Sequence, residues 1–323
     1  MKTDKPEPSS RTDTSSASDV SLIRYTEPSV PCTDSKEQAM SRTGSMEVLD
    51  NKELRVILVG KTGGGKSALG NSLLGGRHFD SSIVAHSVSS RCQYGSRNLQ
   101  NGKRLVVIDT PGLFDTRETN AVIAKELIRC IALASPGPHA FLYVMPIGRF
   151  SREELITVGY VKALFGEHVM QFVTLVFTGK DQLDYHEITL EEYIKGSPPQ
   201  LQSLFDTCDR RVAIIDNHSP ESKEEDVNEI LRLVEQTILS NGGKHYTSDV
   251  FQSSEKVYQI TTSEAALNKH GKRMDSLEMR ELFRKEVADD DGVLVTLAKD
   301  ITKVGTVISQ TVASAWLKVT DWL

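Results

Sequence analysis

Cysteine is scarce and scattered: Cys32, Cys92, Cys130 and Cys208 are the only four in 323 residues, and no two form a C-x-x-C pair. No apolar signal follows Met1 either, so a reducing, cytoplasmic setting is expected. Also missing is any run of about 20 uninterrupted apolar residues, which excludes a membrane-spanning helix. An excess of positive charge is lacking too: the formal net charge is -6 with both signs interspersed, so no basic face offers itself to nucleic acid or draws the chain to anionic lipid from a distance. Partners are expected to be found by specific contacts. What remains, 38% hydrophobic and 25% charged residues, suits one large domain with appendages.

Three regions differ in pattern. Residues 1–50 are rich in Ser, Thr, Pro and charge without apolar periodicity, and are expected to form a disordered tail. Residues 51–245 carry short apolar runs, LRVILV, RLVVID, AFLYVMP, FVTLVF and RVAII, alternating with helix-like stretches near 67–74, 120–134, 153–165 and 225–239. Such alternation implies an α/β fold of three layers, αβα, with a mostly parallel central sheet. Residues 246–323 look like a helical extension, ending in VLVTLAKDITKVGTVISQTVASAWLKVTDWL with Trp316 and Trp322. Two readings stand for that ending: a helix lying in a membrane interface, or one packing on this domain or another copy.

The octet GKTGGGKS, Gly60 to Ser67, follows the first apolar run and opens a helix. Gly60, Gly63, Gly64 and Gly65, with Lys61, Thr62 and Ala68 beside them, let backbone N–H groups wrap a phosphate at a helix N-terminus. Lys66 is placed to reach the β- and γ-phosphates, and the Ser67 hydroxyl to ligate Mg²⁺. Downstream, RLVVID runs into Asp109-Thr110-Pro111-Gly112, where Asp109 suits a magnesium-bound water and the Gly112 N–H a γ-phosphate. Between the two, Ser89 is a further candidate magnesium ligand; a serine in a flexible loop is the plainer alternative.

At this point the chain resembles the GIMAP, or immunity-associated nucleotide-binding, GTPases, relatives of the septins and of chloroplast outer-envelope import GTPases. The resemblance rests on GKTGGGKSALGNSLLG, DTPGLFDT and, above all, SPGPHAFLYVMPIGRFSREE at Ser135 to Glu154, which corresponds to a box this family carries between its third and fourth nucleotide motifs. It implies a P-loop GTPase fold, GTP or GDP with Mg²⁺, and GTP-bound domains that pair as a homodimer or homo-oligomer. Peripheral association with intracellular membranes and a link to immunity are also family properties. The base motif N-K-x-D appears as Thr178-Gly179-Lys180-Asp181, with Asp181 the candidate reader of guanine N1–H and N2–H and Gln182 the occupant of a shifted register. Lys180 lies along the base or is a surface lysine; Asn217 flanks the base or is a loop asparagine.

Leu113 follows DTPG where Ras-like enzymes orient water with glutamine, so intrinsic hydrolysis is expected to be slow. Arg149, within GRF, is the candidate group to act across a dimer on the opposite subunit; its alternative is a salt bridge to Glu153 or Glu154. His139 is expected to pack or cap and not to act as a base. Together these expectations describe a GTPase that switches assembly, with a GTP- or GDP-held scaffold as the rival.

Overall fold

The structure, a computed structural model, describes residues 52–81, 91–111, 120–264, 274–290 and 294. The expected N-terminal tail, Ser89, Gly112, Leu113 and the segment bearing Trp316 and Trp322 lie outside the described residues. Six strands form one sheet: β1 (Glu53–Val59), β2 (Gln93–Asn98), β3 (Arg104–Asp109), β4 (Ala140–Pro146), β5 (Val173–Thr178) and β6 (Val212–Ile215). Their order is β2-β3-β1-β4-β5-β6, with β2 antiparallel to β3 and every other neighbouring pair parallel.

Side chains along β1 explain why its sequence is apolar without alternation. Val56 and Leu58 enter one buried cluster, whereas Ile57 and Val59 enter another on the opposite face. A strand covered on both sides needs an apolar residue at each position. The exception among the strands is β2, QYGSRN, which the sequence did not announce: it borders the sheet, and of its residues only Gly95 is buried.

The described helices are α1 (Lys66–Leu74), α2 (Asn120–Ala134), α3 (Arg152–Phe165), α4 (Lys180–Tyr185), α5 (Leu190–Lys195), α6 (Pro199–Thr207), α7 (Pro220–Ser240), α8 (Asp249–Glu264) and α9 (Ser276–Asp289). Helices α1 and α7 supply Leu69, Leu73, Ile230 and Val234 to one cluster. The other face is covered by α2, α3, α6, α8 and α9 through residues such as Ile131, Val161, Phe205, Phe251 and Phe283. Helix α7 begins five residues before the apolar pattern does; Pro220 suits a first helical turn, where N–H groups have no acceptor within the helix. Among the described residues no helix is long and apolar enough to cross a membrane.

Ion pairs hidden from water fasten α8 and α9 to this core. Arg284 grips Glu53 at the start of β1 with two hydrogen bonds of 2.7 and 2.8 Å, and both side chains are 1% exposed or less. Its Nε donates to the Leu133 carbonyl at the end of α2. Arg280 binds Glu255 on α8 in the same two-pronged way, at 2.7 and 3.0 Å, while its guanidinium lies over the Tyr258 ring. Arg129 on α2 donates to the Val287 carbonyl near the end of α9.

Burial by itself pushes the Glu53 carboxyl up, but the charge and hydrogen bonds of Arg284, with Arg55 and Arg280 behind them, outweigh it and bring it down to about 2. Folded Glu53 thus lies below its ordinary value of 4.5, so the pair stabilises fully above that pH and the contribution, about 3 kcal/mol, fades as pH falls from 4.5 toward 2. Replacing Glu53 by Gln leaves Arg284 charged and buried without its partner, a loss of about 3–5 kcal/mol at pH 7. Urea unfolding across a pH series should show that loss together with a flattened acid limb in Glu53→Gln; equal acid limbs in the two proteins would contradict it.

Candidate nucleotide-binding site

The loop from Gly60 to Gly65 leaves the carboxyl end of β1 and enters α1, beside the point where strand order reverses around β1. Its path requires glycine. A Cβ on Gly60, at φ 147°, would sit 2.2 Å from the Val144 carbonyl oxygen of β4, and one on Gly65 would sit 2.9 Å from the Thr178 methyl. Within the loop the Gly64 N–H donates to the Lys61 carbonyl at 3.2 Å, and the Gly65 carbonyl accepts from Leu69 in the first turn of α1.

Lys66 is 6% exposed, and its ammonium donates to the Gly60 and Lys61 carbonyls at 3.1 and 2.9 Å. The charge the sequence assigns to phosphate is therefore held inside the loop by the loop's own backbone. Ser67 donates from Oγ to Asp109 Oδ2 at 2.6 Å, so two residues expected to serve magnesium converge from α1 and the end of β3. Thr110 fixes that strand end by donating to the Leu58 carbonyl of β1 at 2.6 Å. Thr62 and Ala68 flank these groups, half-buried.

The base motif joins the same construction. Thr178, at the end of β5, donates from Oγ1 to the Gly64 carbonyl at 3.1 Å while its own carbonyl accepts from the Ile147 N–H at 2.8 Å. Threonine in place of asparagine thus keeps a side-chain donor on the phosphate loop. Gly179 takes φ 88° as the cap of α4, and Asp181 stands exposed in that helix's first turn. Lys180 pairs with Asp226 of α7 at 2.6 Å, and the second oxygen of that carboxylate accepts from the Asp216 N–H. Asn217 accepts from Ser72 of α1 at 2.9 Å, which ties the last loop to the helix that starts at the phosphate loop.

Arg149 is exposed, and among the described residues no ion pair engages it. Of the two carboxylates considered as its partners, Glu153 and Glu154, the second instead meets Lys61 at 2.9 Å. His139 is 1% exposed and accepts at Nδ1 from the Arg55 N–H, in keeping with a packing role. Sequence reasoning named Glu154 only as a partner for Arg149, and overlooked Asp226 and Tyr193, whose hydroxyl donates to the Gly148 carbonyl at 2.7 Å beside Arg149. Burial pushes the Tyr193 phenol up. Only Glu154 left a readable sign, the S-x-x-E pattern from Ser151 that opens a helix.

A family model, described as the AIG1 family, matches residues 54–266. Immune-associated nucleotide-binding protein 9 of Arabidopsis thaliana is 39% identical over 204 residues, spanning 62% of this chain and 60% of that one. Immune-associated nucleotide-binding protein 7 of the same plant is 35% identical over 243 residues, 74% of this chain and 76% of its own. Among solved structures, Arabidopsis thaliana Toc33 in complex with GDP and Mg²⁺ is similar with a TM-score of 0.43 and 20% identity, over 66% of this chain and 95% of that one.

Substitutions at two positions test this geometry without nucleotide. Thr178→Val keeps the methyl that faces Gly65 but removes the donor to Gly64, and should cost about 1 kcal/mol, with Thr178→Ser restoring it. Gly60→Ala should lower the melting temperature far more, since its methyl collides with backbone that cannot rotate away. Chemical denaturation of the three variants checks both, and a Gly60→Ala protein as stable as the wild type would refute the close approach.

Proposed function

The chain belongs to the AIG1 family, and from that premise we propose that it binds GTP and GDP with Mg²⁺ and hydrolyses GTP slowly, as a nucleotide-controlled assembly switch. The observation that carries this reading is the buried Lys66 ammonium inside the glycine loop, with Ser67 and Asp109 side by side next to it. The donor set fits Mg²⁺, a hard cation that takes oxygen ligands and few protein groups: one hydroxyl and one carboxylate converge there. Ser67 would hold the ion directly and Asp109 through water, with Ser89 a further ligand; when bound, Mg²⁺ supplies charge neutralisation between phosphates.

The chain's own groups divide the remaining work. The loop N–H groups and the start of α1 face phosphate, and Lys66 exchanges its carbonyl partners for phosphate oxygens. The Gly112 N–H is assigned to the γ-phosphate. Asp181, exposed at the head of α4, accepts the two guanine N–H donors that adenine does not offer, and Asn217 flanks the base. Lys180 is engaged with Asp226, which favours a structural role over a place along the base. Arg149, exposed beyond β4, is free to reach a second copy across the nucleotide face, so the active form is a homodimer or larger homo-oligomer. Segments around Ser89 and Gly112 order on GTP and relax after hydrolysis.

The rival reading, a GTP- or GDP-held scaffold that does not turn over, is favoured by Leu113, an apolar residue where water must be oriented. Either form would associate peripherally with intracellular membranes if the segment from Val293 lies in the interface, and otherwise stay in the cytoplasm; liposome sedimentation with and without that segment decides between them.

Binding and hydrolysis of GTP and ATP with Mg²⁺, across a protein dilution series, test the main proposal. GTP alone should bind, and Asp181→Asn should weaken it about tenfold to a hundredfold by removing a charged acceptor. Specific activity should climb with protein concentration in the wild type and fall by about 10³-fold in Arg149→Ala. Tight GTP binding with no turnover at any concentration would establish the scaffold instead.

A further inference from the structure

Phosphate loop and Arg149 loop are closed into one ring of contacts. On one side Thr178 joins them, giving its hydroxyl to Gly64 and its carbonyl to Ile147. On the other side stands Glu154 in the first turn of α3, its side chain 3% exposed. One of its carboxylate oxygens accepts from the Ser151 N–H, closing the loop that contains Arg149; the other meets the Lys61 ammonium at 2.9 Å. Lys61 is also the residue whose carbonyl holds the Lys66 ammonium, so one residue touches the phosphate lysine with its backbone and Glu154 with its side chain. Two hydroxyls brace the circuit: Tyr193 on Gly148, and Tyr143 on the Glu154 carbonyl at 2.8 Å.

A carboxylate this deeply buried is costly unless both oxygens are satisfied, and here they are satisfied from two different loops. A helix cap needs only the Ser151 contact. The second contact adds nothing to the cap and makes the position of residues 147–151 depend on that of the phosphate loop. We propose that Glu154 and Lys61 are a positioning pair that couples the phosphate loop to the loop carrying Arg149, so that the state of the first sets where the second presents its guanidinium. This rests on the reading of Arg149 given above for its catalytic consequence, but not for the coupling itself.

Two measurements on the full chain separate the coupling from that reading. The first is amide hydrogen exchange without nucleotide. Lys61→Met removes the tether and leaves the Glu154 cap in place, so amides at 147–151 should exchange about tenfold faster while those of β4 stay protected. Unchanged exchange at 147–151 overturns the proposal. The second compares turnover of saturating GTP with affinity for GDP. Glu154→Gln keeps an oxygen for Ser151 but loses the charge for Lys61; it should lower turnover about tenfold and shift GDP affinity less than about threefold. The double variant Lys61→Met/Glu154→Gln should lose no more than the worse single one, and Lys61→Arg should restore loop protection. Equal losses in turnover and GDP affinity, or fully additive losses in the double variant, overturn the proposal. If loop protection falls as expected in Lys61→Met but the wild type turns over no GTP, the coupling stands and only the hydrolysis reading falls.

Discussion

At Gly60 the phosphate loop leaves no room for a side chain: it runs so close to the Val144 carbonyl that a methyl group there would stand 2.2 Å from it. This contact sets the depth of the loop against β4, and depth decides the rest. A loop seated this low brings its own carbonyls around the Lys66 ammonium, brings Gly65 against the Thr178 methyl, and leaves the start of α1 beside Asp109. Each later element of the site is then hung from a neighbour already fixed: Thr178 from Gly64, Ile147 from Thr178, Asn217 from Ser72. A rigid parallel sheet supplies the strand ends, and short polar links supply the register between the loops that leave them.

Charge is treated in the same economical way throughout. Lys66 rests on carbonyls, Ser67 on Asp109, Lys180 on Asp226 and Lys61 on Glu154, so the protein answers its own buried charges before any ligand arrives. Binding at such a site is an exchange of partners and not the filling of a void. Asp181 and Asp184, both exposed on α4, stay outside this pattern, and an exposed carboxylate there retains its water until something replaces it.

Chemistry that dictates spacing was legible in the sequence. Wrapping a phosphate needs glycines, a lysine and a hydroxyl in fixed order, so the octet at Gly60 and the strand before it could be placed without a structure. Buried strands were legible because two covered faces leave no polar position, and β2 was not because an edge strand owes its place to β3 alone. Helices α4 and α5, six residues each, were too short for periodicity to mark. Pairing at a distance was the least legible. Nothing in the string links Glu53 to Arg284, Lys61 to Glu154 or Lys180 to Asp226, since any carboxylate suits any ammonium until folding chooses between them. Thr178, standing where the motif has asparagine, keeps a side-chain donor, because its hydroxyl reaches the Gly64 carbonyl that the fold sets beside it.

The grip of Arg284 on Glu53 spans 231 positions of sequence, from the first strand to the last described helix. During synthesis the carboxylate emerges long before the arginine that neutralises it. At roughly 5–20 residues per second the interval is on the order of ten to fifty seconds. Throughout it, the Glu53 carboxylate has the 3.4 Å contact with Arg55 of its own strand but lacks its two-pronged partner, so the nascent chain has a reason to keep that end of β1 wet and its sheet unsealed. Completion of the core is therefore timed by the ribosome's arrival at α9, and a chain that stops short of it exposes an unfinished strand end to whatever binds incomplete proteins.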